Sequence, residues 1–293
     1  MNKTPIDIIV PWVNPKDENW KKDFNFWKEK ETGIKDACRY NDWGFIKYVF
    51  RSISQNCPWC RYVFFVVSNE TQIPSWLNVD CPRLKIVYHK DYIPKEFLPT
   101  FNSNVIEMFY GNIKELSENF ILINDDMIFT KKTDSSFYFE NDKPVYKYGI
   151  RNLNNSYWDK TIKKSAKKIG ELINKKCPIF DTYHLPVSYK KSMFNFIMHK
   201  LHKEIYKSFE NSKFRHDNNF MHFIVYFALN MTKQCVYKNT SRGKYYSILR
   251  QNYFNLNCVA CCVNESEKST KNSCLKALAC LNNLFKNKSE FEK

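Results

Sequence analysis

A chain of 293 residues with 43% hydrophobic and 26% charged residues can bury a large core, which excludes a wholly disordered protein. Its formal net charge of +16 favours partners that carry phosphate, such as nucleotides, anionic polymers or anionic lipid headgroups. No helix-turn-helix, zinc-finger or RNA-recognition signature accompanies that charge, so we expect no nucleic-acid partner.

The N-terminal segment has a short apolar run that is broken by Pro11 and lacks a small-residue cleavage site, which is unlike a signal peptide. No apolar run reaches the length of about 18 residues that a membrane-crossing helix needs. Eleven cysteines, an odd number, suit mostly reduced thiols. We therefore expect a cytoplasmic protein, with association at the inner face of the membrane as an extension of that expectation.

Strands and helices alternate in residues 1–130, which predicts an α/β core with a mostly parallel, Rossmann-like sheet. The strands are predicted from apolar runs at residues 7–12, 62–67, 84–88 and 120–123. The helices are predicted from the helical spacing of two apolar sets, Ile46, Val49, Phe50 and Ile53, and Val105, Ile106, Phe109, Ile113 and Leu116.

Cysteines recur at two places that could bind a metal. Cys57 and Cys60 form one CxxC pair, and Cys258, Cys261 and Cys262 form a second group. Together they would supply a four-thiolate zinc site, and the first pair alone could be a redox pair. Ordinary buried thiols are the favoured alternative.

Two adjacent carboxylates, Asp125 and Asp126, follow directly after the predicted strand at 120–123. In open α/β sheets this end of a strand is where ligands bind. An acid pair there commonly holds a divalent metal against a diphosphate, because hard oxygen ligands suit Mg²⁺ or Mn²⁺. The alternative is a solvated turn.

Residues 131–178 are basic and polar, and we interpret them as an inserted subdomain. Ile162, Ala166, Ile169 and Ile173 recur at helical spacing among lysines, which predicts a basic amphipathic helix over 160–176. Such a helix could lie on an anionic membrane or bind an anionic acceptor. The favoured alternative is a solvated helix whose apolar stripe packs on the core.

Residues 179–293 are predicted to be mostly helical and to complete the site. A long helical segment is expected between His184 and about Phe209. A single histidine such as His184 is more often an ordinary loop or core residue than a catalytic one. The remaining candidates, which have no motif around them, are interpreted as structural or surface histidines: His199, His202, His216 and His222.

Several stretches, in order, resemble conserved regions of the Stealth family of sugar-phosphate transferases. They are IDIIVPWVNP from Ile6, RYNDWGFIKYVFRS from Arg39, PTFNSNVIE from Pro99 with LSENFILINDD at fixed distance, HLP at His184, FR at Phe214, and KSEFE from Lys288. Members of this family include bacterial capsule and exopolysaccharide phosphotransferases and the animal lysosomal-enzyme N-acetylglucosamine-1-phosphotransferase. Only the insert is left uncovered.

The resemblance implies a glycosyltransferase-A-like fold and a reaction that moves hexose-1-phosphate from a nucleotide diphosphate sugar to a sugar hydroxyl. The donor would be a UDP-sugar and UMP would leave. The acceptor would be a saccharide, lipid-linked or polymeric, and the product a phosphodiester in bacterial capsule or exopolysaccharide synthesis. Residues 1–130 would then be the nucleotide-sugar-binding core.

The motif positions imply roles for four catalytic residues. Asp126, with Asp125 beside it, would bind Mg²⁺ or Mn²⁺ and the diphosphate. His184 would be the general base, and Arg215 would clamp the transferring phosphate through its planar fork. Glu107 would bind the donor sugar or orient His184. Weaker substrate-binding candidates are Asn14, Arg39, Arg51, Asn102 and Ser103.

Three departures from the family pattern keep other functions open. Gly44-Phe45 stand where similar proteins have an acidic pair, and Asn219 and Glu265 each stand in place of an aspartate. Asp217 could compensate for Asn219. One alternative is a metal-dependent glycosyltransferase that releases UDP. The other is a basic, non-catalytic protein that binds polysaccharide or membrane.

Overall fold

The computed structural model describes residues 4–154, 156–248, 257–266 and 268–293. The α-helices in these ranges are α1 (Glu18–Lys30), α2 (Phe45–Asn56), α3 (Ser103–Met108), α4 (Tyr157–Ile173), α5 (Lys191–Phe209), α6 (Phe223–Met231) and α7 (Lys271–Leu284). The strands are β1 (Ile6–Pro11), β2 (Cys60–Val67), β3 (Leu84–Tyr88), β4 (Asn119–Leu122), β5 (Met127–Phe129), β6 (Phe139–Glu140), β7 (Lys143–Tyr146), β8 (Val187–Lys190), β9 (Val236–Tyr237), β10 (Lys244–Ser247) and β11 (Ala260–Asn264).

The main sheet has five strands in the order β3-β2-β1-β4-β8. The first four are parallel, and β8 pairs antiparallel with β4, with Leu122 opposite Val187. The predicted α/β class with a mostly parallel, Rossmann-like sheet is confirmed. All four strands predicted from apolar runs are present.

Both faces of this sheet are covered by helices, which is why its strands are apolar throughout. In β1, Ile8 and Val10 point into a core that contains α2 and α7, whereas Ile9 points into a second core with α3 to α6. All three side chains are completely buried. The sheet therefore presents its carboxyl edge, between two helical layers, as the open place for a ligand.

Two predicted helices differ in the structure. The helix expected over 105–116 ends at Met108, and a tight turn follows at Tyr110–Asn112. A Cβ at Gly111 would lie 2.4 Å from Asn195 Oδ1, so α5 approaches this turn too closely for a side chain at that position. The segment after His184, expected to be all helical, begins with the edge strand β8.

The segment 131–178 contributes the β6–β7 hairpin and α4. The predicted basic helix is confirmed: Ser156 caps its start and Asn174, in the left-handed conformation, ends it. Its apolar stripe is buried in the core, so that stripe is not free to enter a membrane. The division of the chain into three domains stays a prediction.

A second sheet of three strands has the order β10-β11-β5. Strand β5 begins directly after the acid pair, and β11 lies antiparallel to it with Cys262 opposite Met127. The C-terminal part of the chain thereby reaches the end of β4. No helix in the described part of the chain has both the length and the apolar character needed to cross a membrane.

Candidate active site

Three adjoining cavities meet at the carboxyl ends of β1 and β4, and we call them together the cleft. Asn124 and Arg215 line all three. The largest, of about 530 Å³, is polar and contains Asp125, Asp126 and His184. A second, of about 140 Å³, has aromatic walls, and the third, of about 50 Å³, lies deeper.

Asp126 lies at the turn between β4 and β5. Its Oδ2 is 3.2 Å from Cys262 Sγ, 3.4 Å from Asn264 Nδ2 and 3.9 Å from His184 Nε2. Burial works to raise the pKa of Asp126, but His184, Cys262 and Asn264 together hold it below its ordinary value. The side chain is therefore a carboxylate that faces the cleft.

Three acidic side chains lie close together at this site: Asp42, Asp125 and Asp126. Burial raises the pKa of Asp125 well above its ordinary range, and the charges of Asp126 and Asp42 raise it further. The buried Oδ1 of Asp126 has no hydrogen-bond partner among the described residues. Crowded carboxylates with a free oxygen fit a hard divalent cation, which would relieve the repulsion. Metal binding by Asp125 and Asp126 stays a prediction.

His184 is brought to Asp126 by the antiparallel pairing of β4 and β8. Asp126 follows the end of β4 and His184 precedes the start of β8, so both lie at one edge of the sheet. The edges of Trp158 and Tyr245 contact the His184 ring, with centroids 6.2 and 5.8 Å away. This packing fixes the imidazole beside the carboxylate.

Arg215 is fixed through its backbone. Its carbonyl oxygen accepts a hydrogen bond of 3.0 Å from the amide of Ile34 in an antiparallel bridge. Gly33 makes this possible: its φ is +118°, and a Cβ there would lie 2.8 Å from Phe214 Cβ. The guanidinium side chain lines all three parts of the cleft.

Glu107 and His222 form the floor of the deepest cavity. Burial raises the pKa of Glu107 to about 7, although the nearby Arg215 and His184 oppose that rise. Burial also lowers the pKa of His222 to about 3. The sequence predicts a structural or surface role for His222, and the structure places it in the interior, next to the candidate catalytic residue Glu107.

Two of the weaker candidates lie in the cleft. Ser103, at the start of α3, lines the second and third cavities. Arg39 lines the first and second and pairs with Asp36 at 3.0 Å. Their substrate-binding roles stay predictions.

The structure does not bring the other three weaker candidates into the cleft. Arg51 donates two hydrogen bonds of 2.8 Å to the carboxylate of Glu292 and thereby fixes the end of the chain. The amide of Asn102 donates to backbone carbonyls before and after Lys213. Asn14 Oδ1 accepts from the amide of Lys16 within its own turn.

The departure at Asn219 has a structural explanation. Asn219 is completely buried, and its Oδ1 accepts from Asn102 at 2.8 Å while its Nδ2 donates to Ser212 Oγ at 3.0 Å. A side-chain amide can accept one of these bonds with its oxygen and donate the other with its nitrogen, whereas an ionised carboxylate can only accept. Asp217 does not replace the missing charge, since it pairs with Lys160 on the surface at 3.1 Å.

The other two departures lie on the wall of the largest cavity. Glu265 accepts hydrogen bonds from Asn41 Nδ2 at 3.0 Å and Trp43 Nε1 at 2.7 Å, which closes that wall. Phe45 also lines it, at the start of α2. Asp42, two residues before Gly44, supplies an acid there that no sequence pattern had singled out.

The two cysteine groups do not form a zinc site. Among the described residues, one group of three potential metal ligands lies close together, and it consists of Asp126, His184 and Cys262. Cys57 and Cys60 are buried, and burial raises the pKa of both thiols. These two are packed as ordinary apolar groups.

Comparison with known proteins gives consistent matches. The family model for Stealth protein CR2, conserved region 2, matches residues 39–146. Two capsular polysaccharide phosphotransferases WcwK of Streptococcus pneumoniae are 32% and 31% identical to the chain, over 84% and 100% of its length and 83% and 99% of theirs. The capsular polysaccharide phosphotransferase fcs1 of Haemophilus influenzae is 30% identical over 90% of the chain and 79% of its own length.

Proposed function

This chain belongs to the Stealth family of sugar-phosphate transferases, and on that premise we propose that it transfers hexose-1-phosphate from a UDP-sugar to a hydroxyl of a saccharide acceptor. The product is a phosphodiester in a capsular or extracellular polysaccharide, and UMP leaves. One observation carries the proposal: Glu107, Asp126, His184 and Arg215 come from four separate segments and line one cleft.

The reaction requires an attack at phosphorus. The acceptor oxygen forms a bond to the β-phosphorus while the bond from that phosphorus to the UMP oxygen breaks. The proton of the acceptor hydroxyl goes to His184, which is the general base. Arg215 stabilises the charge on the phosphoryl oxygens through its fork of donors.

The acid pair suits the diphosphate end of the donor. Asp125 and Asp126 would hold Mg²⁺ or Mn²⁺, and such an ion neutralises diphosphate charge. Asp126 Oδ2 also lies 3.9 Å from His184 Nε2, where its charge would stabilise the imidazolium that forms when His184 takes up the proton. Glu107 lines the second and third cavities together with Arg215 and would contact the donor sugar.

The aromatic cavity suits the nucleoside. Rings of Trp12, Trp20, Tyr40 and Phe101 line it, and it opens toward Asp125 and Arg215. A planar base can stack on such rings. A donor with its base there would extend its diphosphate toward the acid pair.

The leaving group tests this proposal. The protein is incubated with Mg²⁺, an acceptor mixture and each of several UDP-sugars, and nucleotide products are identified by mass spectrometry. We expect UMP, and a phosphorus NMR signal coupled to two sugars. Release of UDP with a phosphate-free glycoside would instead support a glycosyltransferase, and no release from any donor would support a non-catalytic binding protein.

A further inference from the structure

We propose that a line of tyrosines leading out of the cleft binds the acceptor as an extended saccharide chain of several sugars. We call this line the tyrosine track and define it as Tyr245, Tyr183, Tyr148 and Tyr237. The inference rests on the proposed function for the identity of the ligand. It adds where the acceptor lies and that more than one of its sugars is bound.

The track begins at the general base. The Tyr245 ring contacts the His184 ring, and its side chain is 52% exposed. Tyr183 is the residue before His184 and lines the deepest cavity with it. A sugar whose hydroxyl reaches His184 therefore lies against these two rings.

The track continues away from the cleft along β7 and β9. The hydroxyl of Tyr183 donates to the carbonyl oxygen of Lys147 at 2.9 Å, which ties it to the end of β7. Tyr148 follows, and its ring lies 5.1 Å from that of Tyr237, in an edge-to-face arrangement. His184 thus links Tyr245 to Tyr183, Lys147 links Tyr183 to Tyr148, and the rings of Tyr148 and Tyr237 are in direct contact.

Three of the four tyrosine rings of the track are exposed to solvent. Among the described residues, eight large apolar or aromatic side chains are exposed, and the three tyrosines of that set all lie on the track. Exposed apolar patches on monomers commonly mark binding sites. Tyrosine combines a flat face, suited to the C–H face of a pyranose ring, with a hydroxyl that can bond to sugar hydroxyls.

The charge beside the track fits the product of the proposed reaction. Lys147 and Lys244 are exposed, and they immediately precede Tyr148 and Tyr245. Each phosphodiester in the growing polymer carries one negative charge. Exposed positive charges on the segments that carry the track suit a chain in which sugars alternate with negative charges, and an uncharged apolar partner would not need them.

The test measures affinity against chain length. The probe is a purified phosphodiester-containing capsular polysaccharide, cut into fragments of one to six sugars and titrated into the full chain by calorimetry. We expect affinity to rise over the first three or four sugars. The double variant Tyr148→Ala/Tyr237→Ala should weaken binding of the longer fragments about tenfold while leaving single sugars and UDP-sugar binding unchanged.

The matched control is Phe196→Ala, which removes an exposed aromatic ring on α5, outside the track. It should leave every affinity unchanged. Binding that does not depend on length, or that the double variant retains in full, would overturn the inference. So would self-association of the wild type that the double variant abolishes without any saccharide binding, because the patch would then join two copies of the chain.

These outcomes are independent of the reaction itself. UMP release without length-dependent binding would leave the proposed function standing and remove the tyrosine track. Length-dependent binding that needs Tyr148 and Tyr237, with no UMP release from any donor, would keep the track and overturn the proposed transfer.

Discussion

Glu107 Oε2 lies 3.4 Å from His222 Nε2, and burial moves the pKa values of the two groups in opposite directions. On the other side of the ring, His222 Nδ1 is 2.7 Å from the hydroxyl of Tyr189. When Glu107 is ionised, Nε2 can donate to it and Nδ1 can accept from Tyr189. When Glu107 is protonated these roles can reverse, so its titration is coupled to the tautomer of His222.

This coupling predicts how stability depends on pH. The folded state keeps the Glu107 proton up to about pH 7, whereas the unfolded chain loses it near 4.5, so this group makes stability fall as pH rises between those values. His222 titrates at about 3 instead of 6.5, so it makes stability rise over that range. Between about pH 4.5 and 6.5, the contributions of Glu107 and His222 to the pH dependence of stability therefore oppose one another.

Single variants should separate the contributions of Glu107 and His222 to the pH dependence of the free energy of unfolding. Relative to the wild type, Glu107→Gln should gain stability as pH rises from about 4.5 to 7, and His222→Asn should lose relative stability as pH rises from about 3 to 6.5. Each pKa unit corresponds to about 1.4 kcal/mol. Urea denaturation at a series of pH values measures this, and two variant curves with the same slope would contradict it.

We predict that Asp126→Asn abolishes transfer and leaves the fold intact, because a carboxylate at a strand end contributes more to a ligand than to the core. Calorimetric titration with Mn²⁺ should show strong loss of metal binding, and the thermal midpoint should stay within a few degrees of the wild type. An active Asp126→Asn enzyme, or one unfolded at ordinary temperature, would refute the assignment. Metal chelation should stop wild-type transfer, and added Mg²⁺ should restore it.

His184→Ala should slow transfer by roughly 10²–10⁴-fold, the usual contribution of a general base. Binding of the UDP-sugar should change little, because the base acts on the acceptor hydroxyl. Single-turnover rates with and without added imidazole provide the measurement, and partial recovery with imidazole is expected. Equal rates for variant and wild type would exclude His184 as the base.

Arg215→Ala should slow transfer by roughly 10²–10³-fold, in the range found when one donor to a developing oxyanion is removed. Arg215→Lys should recover only part of this, since lysine keeps the charge and loses the fork. Steady-state kinetics of UMP release compares the two. Arg83→Lys, at a surface pair with Glu290, is the matched control and should behave as wild type. Full activity of Arg215→Lys would show that only charge matters.

Helix α4 should contribute to acceptor or membrane affinity through charge alone, because its apolar stripe is buried. Replacing two exposed lysines of α4 and two just after its end by glutamine should weaken binding to anionic liposomes or to acceptor; these are Lys163, Lys167, Lys175 and Lys176. The effect should fade with salt, since screening acts over roughly 10 Å at 0.1 M. Liposome sedimentation at several salt concentrations measures membrane binding, and calorimetric titration at the same salt concentrations measures acceptor binding.

A matched control makes the same change on a different surface, with four lysines of α1 replaced by glutamine: Lys21, Lys22, Lys28 and Lys30. It lowers the net charge equally. Equal weakening in both variants would mean that overall charge matters and that α4 has no special role. Unchanged binding in the α4 variant would leave that helix with packing as its function.

The sequence identified the acid pair because Asp125 and Asp126 sit next to a short apolar run, a purely local pattern. Glu107, His184 and Arg215 were found only through motif resemblance. Asp42 and His222 carry no local signal of a site residue, and the spacing of Cys262 indicates only a zinc ligand, because their place in the cleft depends on pairing between distant segments. Strand β8 was missed because four residues directly before a long helix carry too little periodicity to separate them from it.

The pairing of Asp126 with Cys262 spans 136 residues of sequence, and we expect this separation to delay completion of the candidate site during synthesis. The four parallel strands of the main sheet are complete by Leu122, so they can assemble early during synthesis. The strands and loop that bring His184, Arg215 and Cys262 arrive later and must close contacts of long sequence separation, which form slowly. We therefore expect a ribosome-bound chain to form the sheet before the candidate site, and transfer to begin only after almost the whole polypeptide has folded.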